Sequence, residues 1–224
     1  MLPTLLLTLA CDVHFDEEAP TPQASGDASI LGIGDSFFAW NAEDGAGIPD
    51  VAGAELGMDT FNVSKSGATV LGDEEEGDWA IPNQYVSDAW TWVIMGGGGN
   101  DIEGACDCSG CDDTLDALLS ADGDGAIAAL VDEALYDGAQ VAWVGYPELP
   151  ESREGFVGCD DEQVILIERL ERLASDREGM IFVDGRDAFG PDELDAYDED
   201  HVHPSLEGSR ALGELVARRI LEVE

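Results

Sequence analysis

Five short apolar runs, each closed by a break and followed by an amphipathic stretch, constrain this chain more than any other feature. They fall at 30–33, 60–63, 92–95, 140–144 and 180–183. Most do not alternate apolar with polar residues, so they read as strands buried on both faces. Between and after them, 48–56, 113–119, 126–136, 160–177 and 204–221 carry apolar residues at helical spacing. Strand–helix alternation of this kind predicts a parallel sheet covered by helices on both faces. In such sheets reacting groups gather at the carboxyl ends of the strands. The residues just after the first three strands are therefore the places to look for chemistry.

Gly34-Asp35-Ser36 follows the first strand directly. Serine at a strand end points into the crevice, but it needs an adjacent base to become a nucleophile. After the second strand comes Asn62-Val-Ser-Lys-Ser-Gly67, where Gly67 could offer a bare backbone N–H. After the third comes Gly98-Gly99-Asn100-Asp101, whose Asn100 amide could donate into the crevice. No Gly-Lys-Ser/Thr follows that glycine run, so a phosphate loop is a poor reading. Near the C-terminus stands Asp200-His201-Val202-His203-Pro204, able to supply a base and a carboxylate to orient it. Asp198 and His201 share that spacing. Pro204, read as the first residue of the last helix, favours Asp200 with His203. Taken singly these are ordinary features: Asp35, Ser36 and Asn100 suit helix caps, and Gly67 suits a turn.

Together and in this order, the four segments resemble the SGNH hydrolase family, named for its Ser, Gly, Asn and His. The matching residues are Ser36 in Gly-Asp-Ser, Gly67, Asn100 in Gly-x-Asn-Asp and His203 in Asp-x-x-His-Pro. The resemblance spans the chain from Ala28 onward. It implies a three-layer α/β/α sandwich around a five-stranded parallel sheet of flavodoxin-like order. It also implies a serine ester hydrolase with Ser36 as nucleophile, His203 as base and Asp200 as orienter, and no cofactor or metal. The oxyanion would be met by the N–H groups of Ser36 and Gly67 and the side-chain amide of Asn100. Such an enzyme takes a carboxylic ester: a lipid, an acylated sugar or a small acyl ester. Phe37, Phe38 and Trp40 could line an acyl site or belong to the core. The rival reading is a non-catalytic surface lipoprotein that binds a glycan or peptide on the same fold, and it has no need of a matched Ser, Asp and His.

Charge bears on partners. Nine basic residues stand against fifty acidic ones, a net −41, and Lys65 is the sole lysine. That field repels phosphate backbones, which argues against a nucleic-acid partner. The acid excess reads as a heavily hydrated surface, since no stretch has the full ligand spacing of a calcium loop. Residues 1–11 read as a signal segment: an apolar run to Ala10, then Cys11, as in a bacterial lipoprotein signal whose cysteine is lipidated. Residues 12–27, acidic and rich in Pro, Ala, Ser and Gly, read as a tether, and 28–224 as the hydrolase domain. The expected location is the bacterial cell envelope, lipid-anchored or secreted. Cys106, Cys108, Cys111 and Cys159, an even set in an exported protein, suggest two disulfides. If all four are bonded, one of the first three pairs with Cys159, and spacing leaves open which. A four-thiolate zinc site would need irregular spacing.

Overall fold

A computed structural model describes residues 29–224. The expected signal segment, Cys11 and the tether lie outside these residues. Five strands, β1 (Ser29–Ile33), β2 (Asp59–Asn62), β3 (Trp92–Met95), β4 (Gln140–Val144) and β5 (Met180–Val183), form one sheet. All pair in parallel in the order β2-β1-β3-β4-β5. The order reverses between β1 and β3, which makes the crevice beyond their carboxyl ends the favoured site.

Eight helices accompany the sheet among the described residues: α1 (Ser36–Ala39), α2 (Ile48–Leu56), α3 (Ile81–Gln84), α4 (Gly99–Cys106), α5 (Asp112–Leu119), α6 (Ala126–Tyr136), α7 (Asp160–Asp176) and α8 (Leu206–Leu221). Side chains alternate across each strand, and two cores result. Leu31, Ile33, Val93, Met95, Val141 and Trp143 pack with Leu115 and Leu118 of α5, Val131 of α6 and Leu166 and Leu170 of α7. Ile30, Trp92, Ile94, Ala142 and Val144 face the other way, onto Ile48 and Ala52 of α2 and Leu212, Leu215 and Val216 of α8. Burial on both faces explains why β1 and β3, buried along their whole length, show no polar alternation, whereas the edge strand β2 stays partly exposed. The architecture is the expected α/β/α sandwich with a five-stranded parallel sheet. Among the described residues no helix is long and apolar enough to cross a membrane.

The last helix starts two residues later than the sequence suggests. Ser205 is its N-cap, with Oγ accepting the Gly208 N–H at 3.2 Å, and helical residues begin at Leu206. Pro204 instead sits in an isolated antiparallel bridge with Tyr197. A serine with extended backbone satisfies an orphan N–H of the first turn through its hydroxyl oxygen, which proline cannot do.

Candidate active site

The sheet delivers Ser36 through a turn with little room. A Cβ on Gly34 would lie 2.9 Å from the Gly96 carbonyl and 3.0 Å from the Phe38 ring, so β1 must leave the sheet through a glycine. Asp35 caps α1, its Oδ1 accepting the Phe37 N–H at 2.9 Å. The capping role in Gly-Asp-Ser thus falls to Asp35 and not to Ser36. Ser36 is the first residue of α1. Buried Gln84 braces the same turn: its Oε1 accepts the Gly34 N–H at 2.7 Å, and its Nε2 donates to the Gly34 carbonyl at 3.0 Å.

His203 arrives from the segment before α8. Asp198 N–H donates to the His203 carbonyl at 2.8 Å, and Asn41 Nδ2 donates to the Pro204 carbonyl at 3.0 Å. These bonds bring His203 Nε2 to 2.9 Å from Ser36 Oγ. On the far side of the ring, His203 Nδ1 lies 2.5 Å from Asp200 Oδ2. Asp200 Oδ1 accepts the backbone N–H groups of Val202 and His203, at 2.9 and 3.0 Å. Burial pulls the Asp200 carboxyl upward, but the His203 ring N–H and the two backbone donors outweigh it and hold the group below the usual carboxylate range. The other pair of the same spacing is parted. Asp198 Oδ2 accepts from Trp40 Nε1 at 2.7 Å, and His201 Nδ1 faces Ser152 Oγ at 2.7 Å.

Of the two remaining sequence candidates, Asn100 stands in the first turn of α4, behind Gly98 as N-cap, so it is not itself the cap. One amide hydrogen of its Nδ2 goes to the Ala68 carbonyl at 2.9 Å. Gly67, the residue before Ala68, takes a left-handed φ of +81° that suits glycine. Lys65 N–H donates to the Gly34 carbonyl at 3.0 Å, so the Gly67 turn is tied to the serine turn as well. Ser36, Asn100 and His203 line one pocket. Asp101, next to Asn100, is buried and accepts the N–H groups of Val70 and Leu71 at 2.9 and 2.8 Å, with burial pushing its carboxyl up.

Residues 33–211 match the GDSL-like Lipase/Acylhydrolase family. The chain belongs to this GDSL/SGNH hydrolase family. Solved structures agree on the fold. A carbohydrate acetylesterase family member from Sinorhizobium meliloti superposes with a TM-score of 0.61 at 18% identity, over 87% of this chain and 98% of that one. A GDSL-like lipase from Bacteroides thetaiotaomicron gives 0.61 at 17%, over 92% and 93%. A carbohydrate esterase family 2 enzyme with a carbohydrate-binding domain, from Corynascus thermopiles, gives 0.57 at 19%, over 94% and 69%. No curated protein sequence matches the chain.

Several residues at this GDSL-like site carry no local sequence signal. Tyr146, just beyond β4, donates its O–H to Asp35 Oδ2 at 2.5 Å and accepts the Gly99 N–H at 3.2 Å. It thereby joins the serine turn to the asparagine helix. Asp35 is only 3% exposed, and burial raises its carboxyl even though the Tyr146 and Phe37 donors pull the other way. Trp40 lies flat against His203, with ring centroids 3.8 Å apart and planes 6° from parallel. The three aromatic residues after the serine divide their duties: Phe37 lines the pocket, Phe38 is core and Trp40 holds the imidazole. The four cysteines form two disulfides, Cys106–Cys111 and Cys108–Cys159. Among the described residues no group of three His, Cys, Asp or Glu side chains is arranged to hold a metal ion.

Proposed function

We propose that this chain is a serine ester hydrolase in which Ser36, His203 and Asp200 act as nucleophile, general base and orienting carboxylate. The observation that carries the reading is the unbroken line Ser36 Oγ–His203 Nε2–His203 Nδ1–Asp200 Oδ2, with steps of 2.9 and 2.5 Å across the ring. Asp200, held ionised, accepts a hydrogen bond from the Nδ1–H and so leaves the Nε2 lone pair facing the serine. Ser36 Oγ then attacks the ester carbonyl as Nε2 takes its proton. The same proton returns to the leaving alcohol, and an acyl-enzyme remains. Water attacks that acyl group by the same relay in reverse. The Ser36 N–H, the Gly67 N–H and the second hydrogen of the Asn100 amide are the donors for the oxyanion. Each such donor is worth about 3–4 kcal/mol in the transition state. Trp40 stacked on the ring limits imidazole rotation between the two partners.

The substrate is a carboxylic ester. Two of the similar structures are named for carbohydrate esters, which supports an acylated sugar beside a lipid or small acyl ester. Two disulfides fit an oxidising compartment. With the lipoprotein-like run before Cys11, they support export to a bacterial envelope and anchoring through that cysteine. Labelled fatty acid incorporated by the intact chain and lost in Cys11→Ser would support the anchor.

The test of the chemistry is covalent. A fluorophosphonate should add once to the protein, on the peptide that contains Ser36, and Ser36→Ala should lose both the adduct and hydrolysis of p-nitrophenyl acetate. Labelling elsewhere, or full hydrolysis by Ser36→Ala, would remove Ser36 from the role.

A further inference from the structure

Between α4, α7 and the irregular connection 145–159 lies a cavity of about 50 Å³ that reaches Ser36 and His203. Its walls are apolar: Phe37, Ile102, Leu149, Phe156, Leu166 and Val202. Ile102 and Leu166 belong to the buried core, whereas Phe156 is only half-buried and sits on the connection. Phe156 also has a left-handed backbone, φ +53°. For a bulky residue that conformation is unfavourable and persists only where the surroundings over-determine it.

The surroundings here do so. The Phe156 N–H donates to Glu103 Oε1 at 3.0 Å, and Glu103 lies on α4, the helix that carries Asn100. The Phe156 carbonyl accepts from Arg153 Nε and from Cys159 N–H, both at 3.2 Å. Arg153 is itself fastened to the Leu149 and Pro150 carbonyls and to Asp160. Three residues further on, Cys159 is bonded to Cys108 beyond the end of α4. A strained phenylalanine is thus fixed from four sides at the wall of a pocket that opens on the serine.

We infer that this cavity is the acyl pocket and that Phe156 is its specificity-determining wall, restricting the acyl group to about two to four carbons. The size follows from the volume: a cavity of about 150 Å³ takes the six carbons of benzene, so one of about 50 Å³ takes a short acyl group and not an eight-carbon chain. The inference rests on the Ser36 reading above. It adds the length of the acyl chain and the residue that sets it.

The experiment measures kcat/KM of the full chain on p-nitrophenyl acetate, butyrate and octanoate, with Ser36→Ala as control and melting curves for every variant. One methylene that a hydrophobic pocket accepts or refuses changes kcat/KM by about 10–200-fold. Wild type should therefore prefer acetate or butyrate over octanoate by at least about 10-fold. Phe156→Ala should raise the octanoate-to-acetate ratio by about 10-fold or more. Phe156→Trp should lower the butyrate-to-acetate ratio. If Phe156→Ala does not fold, Phe156→Leu reads the same direction with a smaller cut. Ser36-dependent hydrolysis of octanoate as fast as acetate overturns the chain-length inference and leaves the Ser36 reading standing. Folded Phe156 variants with unmoved ratios do the same. Hydrolysis that persists in Ser36→Ala, or no hydrolysis of any ester by folded wild type, overturns both.

Discussion

Two aspartates flank the serine turn, and their surroundings push them in opposite directions. Asp200 is held low, its burial outweighed by the His203 ring and two backbone N–H groups. A carboxyl whose folded value is depressed contributes stability above its unfolded value, and that stability is lost as pH falls through the folded value. The orienting contact should therefore survive mild acid and fail only below the ordinary carboxylate range. Asp200→Asn keeps the shape but turns the imidazole to the wrong tautomer. It should lower kcat on p-nitrophenyl acetate by about 10⁴-fold, with little change in melting temperature. A loss below tenfold would mean that Asp200 does not set the tautomer. Asp35 is the reverse case, raised by burial and supported in its charged form by the Tyr146 hydroxyl. Tyr146→Phe strips a partner from Asp35 Oδ2 and from the Gly99 N–H. Each buried group left unpaired costs about 1–3 kcal/mol. The missing donor hurts only the carboxylate form. The variant's Asp35 is raised further still, so its part of the deficit should be full above the variant's folded value and gone below the wild-type one. Urea midpoints of wild type and Tyr146→Phe over the whole pH range in which both fold check this, and a gap that is constant throughout would assign the whole loss to Gly99.

At the scale of elements, what could be read in advance followed local pattern, and what could not depended on distant partners. All five strands and the helices α2, α5, α6 and α7 appear within a residue or so of their sequence positions, because each carries its own apolar signal. Helix α4 starts at Gly99, has Gly104 within it and carries no apolar stripe, and it was invisible for that reason. It is held from outside, by Asp101 on the Val70 and Leu71 N–H groups and by two disulfides, one from its last residue and one just beyond it. The four family residues were legible because each follows a strand or precedes a helix. Gln84, Tyr146 and Phe156 were not, since they act across 50, 111 and 53 residues of chain respectively. The disulfides carry a prediction at this scale. Cys108–Cys159 spans 51 residues and Cys106–Cys111 spans five. Loop-closure entropy makes the longer bridge worth about 4 kcal/mol and the shorter about 2. The double change Cys108→Ser with Cys159→Ser should lower the urea midpoint by about twice as much as the corresponding change at 106 and 111. Equal losses would show that local geometry, rather than unfolded-chain entropy, dominates.

The molecule as a whole is defined by charge. With fifty acidic residues and nine basic ones, most carboxylates have no cation to face. Five of the nine cations are already engaged in close pairs: Arg153 with Asp160, Arg169 with Asp116, Arg177 with Asp132, Arg186 with Asp184, and Arg219 with Asp187 and Glu222. Most of these pairs are exposed on at least one side, and exposed pairs contribute little. Two electrostatic effects of salt therefore compete, and their sizes are unequal. Screening weakens six arginine pairs of small individual worth, but it also relieves the mutual repulsion of several tens of carboxylates over the whole surface. The second effect should win. Raising sodium chloride from about 0.1 M to about 1 M shortens the Debye length from about 10 Å to about 3 Å, less than the usual spacing of surface charges. The melting temperature should rise across that range, with most of the rise at the low end. Salt also strengthens apolar burial, so the control is a variant with five exposed acids on α7 and α8 changed to Gln or Asn. Its melting temperature should start higher at low salt and rise less. An equal rise in both proteins would assign the salt effect to apolar burial, and a fall in wild type would mean that the arginine pairs outweigh the repulsion.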